Sequence, residues 1–539
     1  MRPENLFVRP NLVTEPLFNR WYAWSYLVSP ASSALYLANQ QLRILQSFVS
    51  APQVHAKALQ DRKMIGGPFV DHPATKAGEI RSLMEKTVAA RPHALAFAKA
   101  VKELYQLLEE NADGHSLEPL YSRVPDLLRG YVELVYDLNH APSVRFMEGL
   151  LYRSPLFDET SQSVTMFLAH QDGRSFAFST PRLPSAAAVD LPIRFADSRL
   201  DAFYRAKSEP ADYHYLKDLL GVEKQQEQIF STFFTSQPPV VDSNDCDGVR
   251  IRYFGHACVL IETVDVALLC DPVIAYGYDN GAPRFTYEDL PAKLDYVLIT
   301  HNHQDHCALE TLLQLRHRIG TILVPKSNPG ALADPSLKMA LKSIGFARVQ
   351  EVEEMEEIGI DGGAIRCIPF LGEHGDLNIQ SKIAFAVELK GRTIVMAADS
   401  NNLEPRMYQH IAASLPQVDV LFIGLECEGA PLSWVYGPML MRTLSRSMDQ
   451  SRRFDGSDCA KALQVVEVFK PQQAYVYAMG LEPWLTYMLA VDGSETSHSI
   501  QESEKFVGLC RERGIESERL YCKKEIVLPA RQASVGSHH

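Results

Sequence analysis

Two periods of hydrophobic residues divide this chain. From about residue 17 to 235 the apolar positions recur every three or four residues, as in ALAFAKAVKELYQLLEENADG and VPDLLRGYVELVYDLNHA, and predict amphipathic helices. One stretch there, SVTMFLAHQDGRSFAFST, alternates instead and predicts a hairpin turning at Asp172 and Gly173. At TSQPPVVDSNDCDG, residues 235–248, the sequence becomes polar and proline-rich, and short apolar runs then alternate with helical segments. Strands are predicted at VRIRYFG, CVLIETV, VALLCDPV, DYVLIT, TILVP, AIRCIPF, KIAFAVEL, TIVMAADS, DVLFIG and AYVYAM, with helices such as ALETLLQLRHR and SLKMALKSIG among them. The pattern predicts a mainly helical α+β N-terminal domain over 1–240 and a mixed α/β domain over 248–530. The final 536–539, GSHH, reads as a tag remnant whose histidines have no part in the chemistry.

A net charge of -13 argues against nucleic acid or an anionic membrane as the main partner, since both reward a basic surface. The nine cysteines contain no CxxC pair and read as buried thiols of a reducing compartment. With no signal pattern at the start and no apolar run long enough to span a bilayer, a cytoplasmic location is expected.

The chemistry concentrates in LITHNHQDHC, where His301, His303, Asp305 and His306 follow a buried strand. In extended backbone, residues two apart point the same way, so His301 and His303 can present imidazoles to one metal ion. A turn at Gln304 can bring Asp305 and His306 to a second ion, about 4 Å from the first. Further along, FLGEHGD offers Glu373 and His374 side by side, and TIVMAADS ends on Asp399. Beyond Asp399 only His410 and His498 remain before the tag; His410 falls in a predicted helix too soon after Asp399, and His498 in a polar stretch with no strand leading into it. With Glu373 the donor set is oxygen-rich and suits iron or manganese; with His374 it suits a zinc hydrolase.

The HxHxDH motif after paired hairpin strands resembles the metallo-β-lactamase superfamily, which implies two sheets packed face to face between helices. Within it, the pattern HxHxDH followed by a glutamate and an aspartate is similar to that of the CmlA-type diiron β-hydroxylases of nonribosomal peptide biosynthesis. That resemblance maps the metal ligands onto His301, His303, Asp305, His306, Glu373 and Asp399. It implies two iron ions, O2 as co-substrate and an external electron donor. It also implies a substrate amino acid, aromatic or aliphatic such as leucine, held as a thioester on a peptidyl carrier domain, and a homodimer. The alternative is a dinuclear zinc hydrolase of the lactonase or phosphodiesterase type.

Around this set, His256 in YFGHACVLIE, His374, Glu426 in LECEGA and Glu482 in MGLEPW are candidates to orient ligands or line the site. Cys307 reads as a packed thiol. MRTLSRSMDQSRRF gathers Arg442, Arg446, Arg452 and Arg453, a basic segment to meet an acidic carrier domain.

Overall fold

Runs of Val, Ile and Leu buried on both faces, such as Cys258–Glu262 and Val420–Gly424, mark strands covered from two sides. In the computed structural model they lie within two seven-stranded sheets. The structure describes residues 5–531 apart from 62–63, 241–243, 245, 279–280 and 492, so the tag-like 536–539 and part of the 235–248 linker lie outside the described residues.

The first sheet runs in the order Val349–Val352, Ile319–Pro325, Leu294–Leu298, Ala267–Cys270, Cys258–Glu262, Gly248–Gly255, Lys524–Pro529. The second runs Glu357–Ile360, Gly363–Ile368, Ala384–Leu389, Arg392–Met396, Val420–Gly424, Gln473–Tyr477, Glu516–Arg519. Inward side chains of both sheets, Ile251, Val259 and Leu298 from one and Phe385, Met396 and Phe422 from the other, form one core. Helices Pro405–Ala412, Cys459–Phe469 and His498–Glu512 cover the outer face of the second sheet. This is the expected αββα sandwich.

In each sheet the antiparallel strands lie on one side and the parallel ones on the other. The parallel strands share a direction, so their carboxyl ends and the loops after them gather at one edge. Crevices outside those ends are where open α/β sheets build ligand sites.

The first 240 residues hold helices Pro30–Tyr36, Leu42–Ser50, Ala77–Ala90 and Pro92–Asn111, and a four-stranded sheet ordered Trp21–Tyr22, Leu12–Phe18, Gln162–Leu168, Val189–Leu191. Two sequence expectations fail here. The stretch 124–141 is not a helix: Val132–Tyr136 pairs with Pro142–Phe146 as a hairpin. Its turn is fixed by Asp137, whose Oδ1 accepts from the backbone N–H of Asn139 and Ala141, with His140 at φ 60°. The expected hairpin at Asp172 and Gly173 forms only its first arm, which pairs with Leu12–Phe18 and Val189–Leu191. Its second arm is diverted, because Arg174 enters a buried ion network and Phe178 packs against Trp24 and Trp434.

One apolar cluster continues from this N-terminal sheet, through Leu12 and Phe203, to Leu260, Val297 and Leu312 on the outer face of the first sandwich sheet. The seam between the two halves is therefore core, not a wet interface. Polar contacts cross it too: Tyr26 donates to the Ala333 carbonyl at 2.8 Å, Trp434 Nε1 to the Gly66 carbonyl at 3.1 Å, and Ser25 to the Asn302 side chain inside the HxHxDH motif. Among the described residues no helix is long and apolar enough to cross a membrane.

Candidate metal centre

Four strand ends converge on one buried cluster. His301, His303, Asp305 and His306 follow Leu294–Leu298; Asp399 follows Arg392–Met396; Glu373 lies in the loop after Gly363–Ile368; and His256 sits in the turn between Gly248–Gly255 and Cys258–Glu262. That turn holds His256 at φ 53° after Gly255 at φ 105°. A Cβ on Gly255 would stand 2.6 Å from the Trp484 ring, so only glycine lets this turn close against it.

Three sets of donor atoms, each within 4.8 Å of one another, emerge: His301, His303 and Glu373; His301, His306 and Asp399; His256, Asp305 and His306. His303 Nδ1 is 3.1 Å from Glu373 Oε1 and 3.1 Å from His301 Nε2. Asp399 Oδ2 lies 3.0 Å from His306 Nε2 and 3.7 Å from His301 Nε2, midway between the groups. Asp305 Oδ2 is 3.7 Å from His306 Nε2 and 3.0 Å from His256 Nε2.

All six residues expected as ligands thus meet, and His256 joins them. His374 does not enter any set. Its Nδ1 is 2.9 Å from the Tyr436 hydroxyl, though its ring stands 4.7 Å from that of His303. His410 is exposed on its helix and His498 opens the helix His498–Glu512, both outside the donor sets.

The loop presenting Glu373 is pinned on both sides. Lys382 Nζ donates to the Gly372 carbonyl at 3.0 Å and Arg452 Nε to the Gly375 carbonyl at 2.8 Å. Glu373 itself sits at φ 68°, a strained value for a non-glycine residue that persists only where the surroundings enforce it. Gly372 precedes it at φ 87°, where a Cβ would come within 2.6 Å of Asn401.

Asp271 was not singled out by the sequence. It ends the strand Ala267–Cys270, fully buried, and accepts from the Thr300 backbone N–H at 2.8 Å and its hydroxyl at 2.6 Å. Its Oδ2 is also 2.8 Å from His306 Nδ1, which turns Nε2 of that ring toward Asp399. The readable signal was an aspartate at the end of an apolar strand neighbouring the motif's own strand. Glu482 holds the backbone of the His256 turn: it accepts from the Tyr253 hydroxyl and from the His256 backbone N–H at 3.0 Å.

The charges are out of balance without cations. Burial, and then the charges of Asp399 and Asp305, push the Glu373 carboxyl well above the usual carboxylate range. Burial and the imidazoles of His306 and His303 hold His301 well below the usual histidine range, and burial lowers His303 to about 4. His306 moves oppositely: burial resists, but Asp399, Asp271 and Asp305 outweigh it and raise it well above 6.5. Meanwhile His303 Nε2, His306 Nε2 and Asp399 Oδ1 are buried with no hydrogen-bond partner. The bare Nε2 of the neutral His303 ring and the partnerless carboxylate oxygen of Asp399 are what divalent cations satisfy, and a cation would replace the proton that Asp399, Asp271 and Asp305 hold on His306, so the residues present fit a pair of metal ions.

Comparison with known proteins carries the reading further. Residues 7–238 match the family described as "Diiron non-heme beta-hydroxylase N-terminal domain", and 267–434 match the "Beta-lactamase superfamily domain". The chain is 38% identical, over 97% of its length and 99% of the relative's, to 4-amino-L-phenylalanyl-[CmlP-peptidyl-carrier-protein] 3-hydroxylase of Streptomyces venezuelae. The crystal structure of CmlA, a diiron β-hydroxylase from the same organism, superposes with a TM-score of 0.91 at 36% identity, covering 98% of this chain and 100% of that one. A mutant of CmlA superposes at 0.88 over 97% of this chain. The chain belongs to the CmlA-type diiron non-haem β-hydroxylases, O2-dependent monooxygenases built on the metallo-β-lactamase fold. Membership decides for iron and against the zinc hydrolase that the motif alone left open.

Proposed function

We propose that this protein β-hydroxylates an aminoacyl group held as a thioester on a peptidyl carrier domain, with His301, His303, Asp305, His306, Glu373 and Asp399 as the metal ligands. The observation that carries the ligand set is Glu373 Oε1 at 3.1 Å from His303 Nδ1, which gives the cluster a third carboxylate in place of a further imidazole. When bound, a pair of iron ions supplies the capacity to reduce O2. Overall, one oxygen atom replaces a β-hydrogen as hydroxyl and the other leaves as water, consuming two external electrons and two protons.

The protein's own residues perform the remaining work. Asp271 fixes the tautomer of His306 by holding Nδ1, and Glu482 anchors the turn of His256. His256 Nε2 in turn holds Asp305 Oδ2, which keeps that carboxylate well below its usual range together with the charge of His306, although burial opposes both. Phe370 and Phe454, packed edge-on or tilted against His301 and His303, keep water from those rings.

A cavity of about 550 Å³ opens beside Glu373, Asp399 and Asp305, with Arg453, Trp434 and Met479 among its other walls. It offers the thioester a place to reach the cluster. Of the basic residues expected to meet a carrier, Arg452 is committed to the Glu373 loop and Arg442 faces Glu109 at 2.8 Å. Arg446 is exposed on the short helix Arg446–Ser451 and, among the described residues, has no ion-pair partner, so the docking face is proposed around it. A docking or dimerising role for residues 1–240, and a homodimer, belong to this proposal as well.

Two measurements test the reading. Aerobically purified protein should hold close to two irons per chain with an oxo-bridged diferric absorption, and should hydroxylate carrier-bound aminoacyl groups when given reductant and O2. Two zincs supporting turnover without iron would defeat it. For the ligand set, Glu373→Ala is expected to lose about half the iron, whereas His374→Ala retains both ions and loses no more than about tenfold in turnover, the lower range for a residue that only orients a ligand. The reverse pattern, read by metal analysis, would move the ligand to His374.

A further inference from the structure

One wall of the cavity beside the donor cluster has no part in holding metal. Glu426 follows the strand Val420–Gly424 and lines this space with Glu428. Its Oε1 accepts from the Ser499 hydroxyl at 2.7 Å and from the Glu428 backbone N–H at 3.3 Å. The basic residue on the same wall, Arg453, has other partners, 3.8 Å from Asp455 and donating to Gln450 at 2.8 Å. Burial raises the Glu426 carboxyl above its usual range, against the two hydrogen bonds it receives. Among the described residues no cationic side chain is recorded in an ion pair with it, so this half-buried carboxylate faces the cavity short of a positive charge.

A second space adjoins the first. A chamber of about 290 Å³, walled by Trp24, Tyr36, Phe176, Phe178 and Trp434, shares Gly66, Gly67, Gln304, Pro431 and Trp434 with the metal-side cavity. Gln304 stands between His303 and Asp305 in the chain, with its Oε1 buried and without a partner. The acidic wall and the donors thus line one cavity, and the aromatic chamber adjoins it at Gln304, Pro431 and Trp434.

An aminoacyl thioester has its ammonium on the α-carbon and its side chain leaving from the β-carbon, one bond further. If these two groups occupy the acidic wall and the aromatic chamber, the carbons that carry them are held in the cavity that the donors line. We infer that Glu426 binds the α-ammonium of the substrate and that the aromatic chamber takes an aromatic side chain, so that together they select which carbon is oxidised. The inference rests on the carrier-bound aminoacyl reading above. It makes Glu426 a specificity residue with no metal to hold.

The test uses iron-loaded full-length protein and two probes, the pantetheine thioesters of L-phenylalanine and of 3-phenylpropanoic acid, which differ only in the amino group. A charge-assisted hydrogen bond in a partly buried site is worth about 1.5–3 kcal/mol, so wild type is expected to bind the amino probe about 10- to 100-fold more tightly. Glu426→Gln should bring that ratio near one while the diiron absorption stays unchanged. Glu426→Asp, which keeps the charge, should retain a clear preference and guards against a misfolded first variant. Equal binding of the two probes by wild type, or a preference that survives in Glu426→Gln, overturns the inference. So does a Glu426→Gln protein that weakens both probes alike. Preference for the amino probe without any hydroxylated product would instead leave the inference standing and overturn the hydroxylase reading.

Discussion

Asp399→Asn is expected to leave the fold intact and to empty much of the metal centre. The substitution is nearly isosteric, and Asp399 is only partly buried, so far-UV circular dichroism should match wild type. Its Oδ2, however, stands within 3.7 Å of both His301 and His306, while Oδ1 is buried without a partner. One carboxylate therefore lies against two of the imidazoles that would hold metal, and an amide there offers neither the negative charge nor a second acceptor oxygen. Losing a group that merely orients a ligand costs about 10- to 100-fold in affinity or activity, so losing this one should cost more than about 100-fold in turnover. Iron analysis should find one ion or fewer per chain. Two irons with turnover within tenfold of wild type would remove Asp399 from the ligand set.

The largest effect on stability is expected at Arg174. Its Nη1 lies 2.9 Å from Glu15 Oε1 and 3.1 Å from Glu310 Oε2, and its guanidinium stacks 3.4 Å from the centre of the Tyr487 ring. Arg182 also pairs with Glu15 at 2.6 Å, and Tyr276 donates to Glu310 at 2.7 Å. Glu15 and Glu310 are only 1% and 3% exposed, so water cannot replace a lost cation. Arg174→Ala strands Glu310 with hydroxyl donors alone, a change that costs about 3–5 kcal/mol when a buried pair is broken from one side. Denaturant titration of iron-loaded protein reads this directly. Pairing it with Glu310→Gln should recover a large part, because the uncompensated charge is then gone. A loss below about 1 kcal/mol would mean the network behaves like an exposed ion pair.

Much of the metal centre was legible in the sequence because its donors sit where strands end. A buried strand is a short apolar run, and HxHxDH and Asp399 are the first polar residues after two such runs. Glu373 was readable only through resemblance, since the loop that presents it at positive φ depends on tertiary contacts with Lys382 and, far along the chain, Arg452. Asp271 and the joining of His256 to Asp305 escaped notice for a related reason. Each is a single polar residue beside apolar neighbours, and its meaning lies in which strand pairs with which. In the N-terminal half, periodicity misread 124–141 because the side chains of a short two-stranded hairpin can mimic a helical stripe. The diverted arm after Gly173 was unreadable because the partners of Arg174, Glu15 and Glu310, lie far away in the chain.

The seam between the halves also has an evolutionary reading. The donors of all three sets come from the sandwich, whereas most of the aromatic chamber is supplied by residues 21–68 and 176–179 of the other half. The donors and most of the chamber proposed for the side chain are thus written in separate stretches of one chain, while Glu426 lies with the donors. On the proposed binding mode, new side chains can be accommodated by changing residues 21–68 and 176–179 while the donor residues stay untouched, and a library confined to those positions is the economical route to a hydroxylase for a different amino acid.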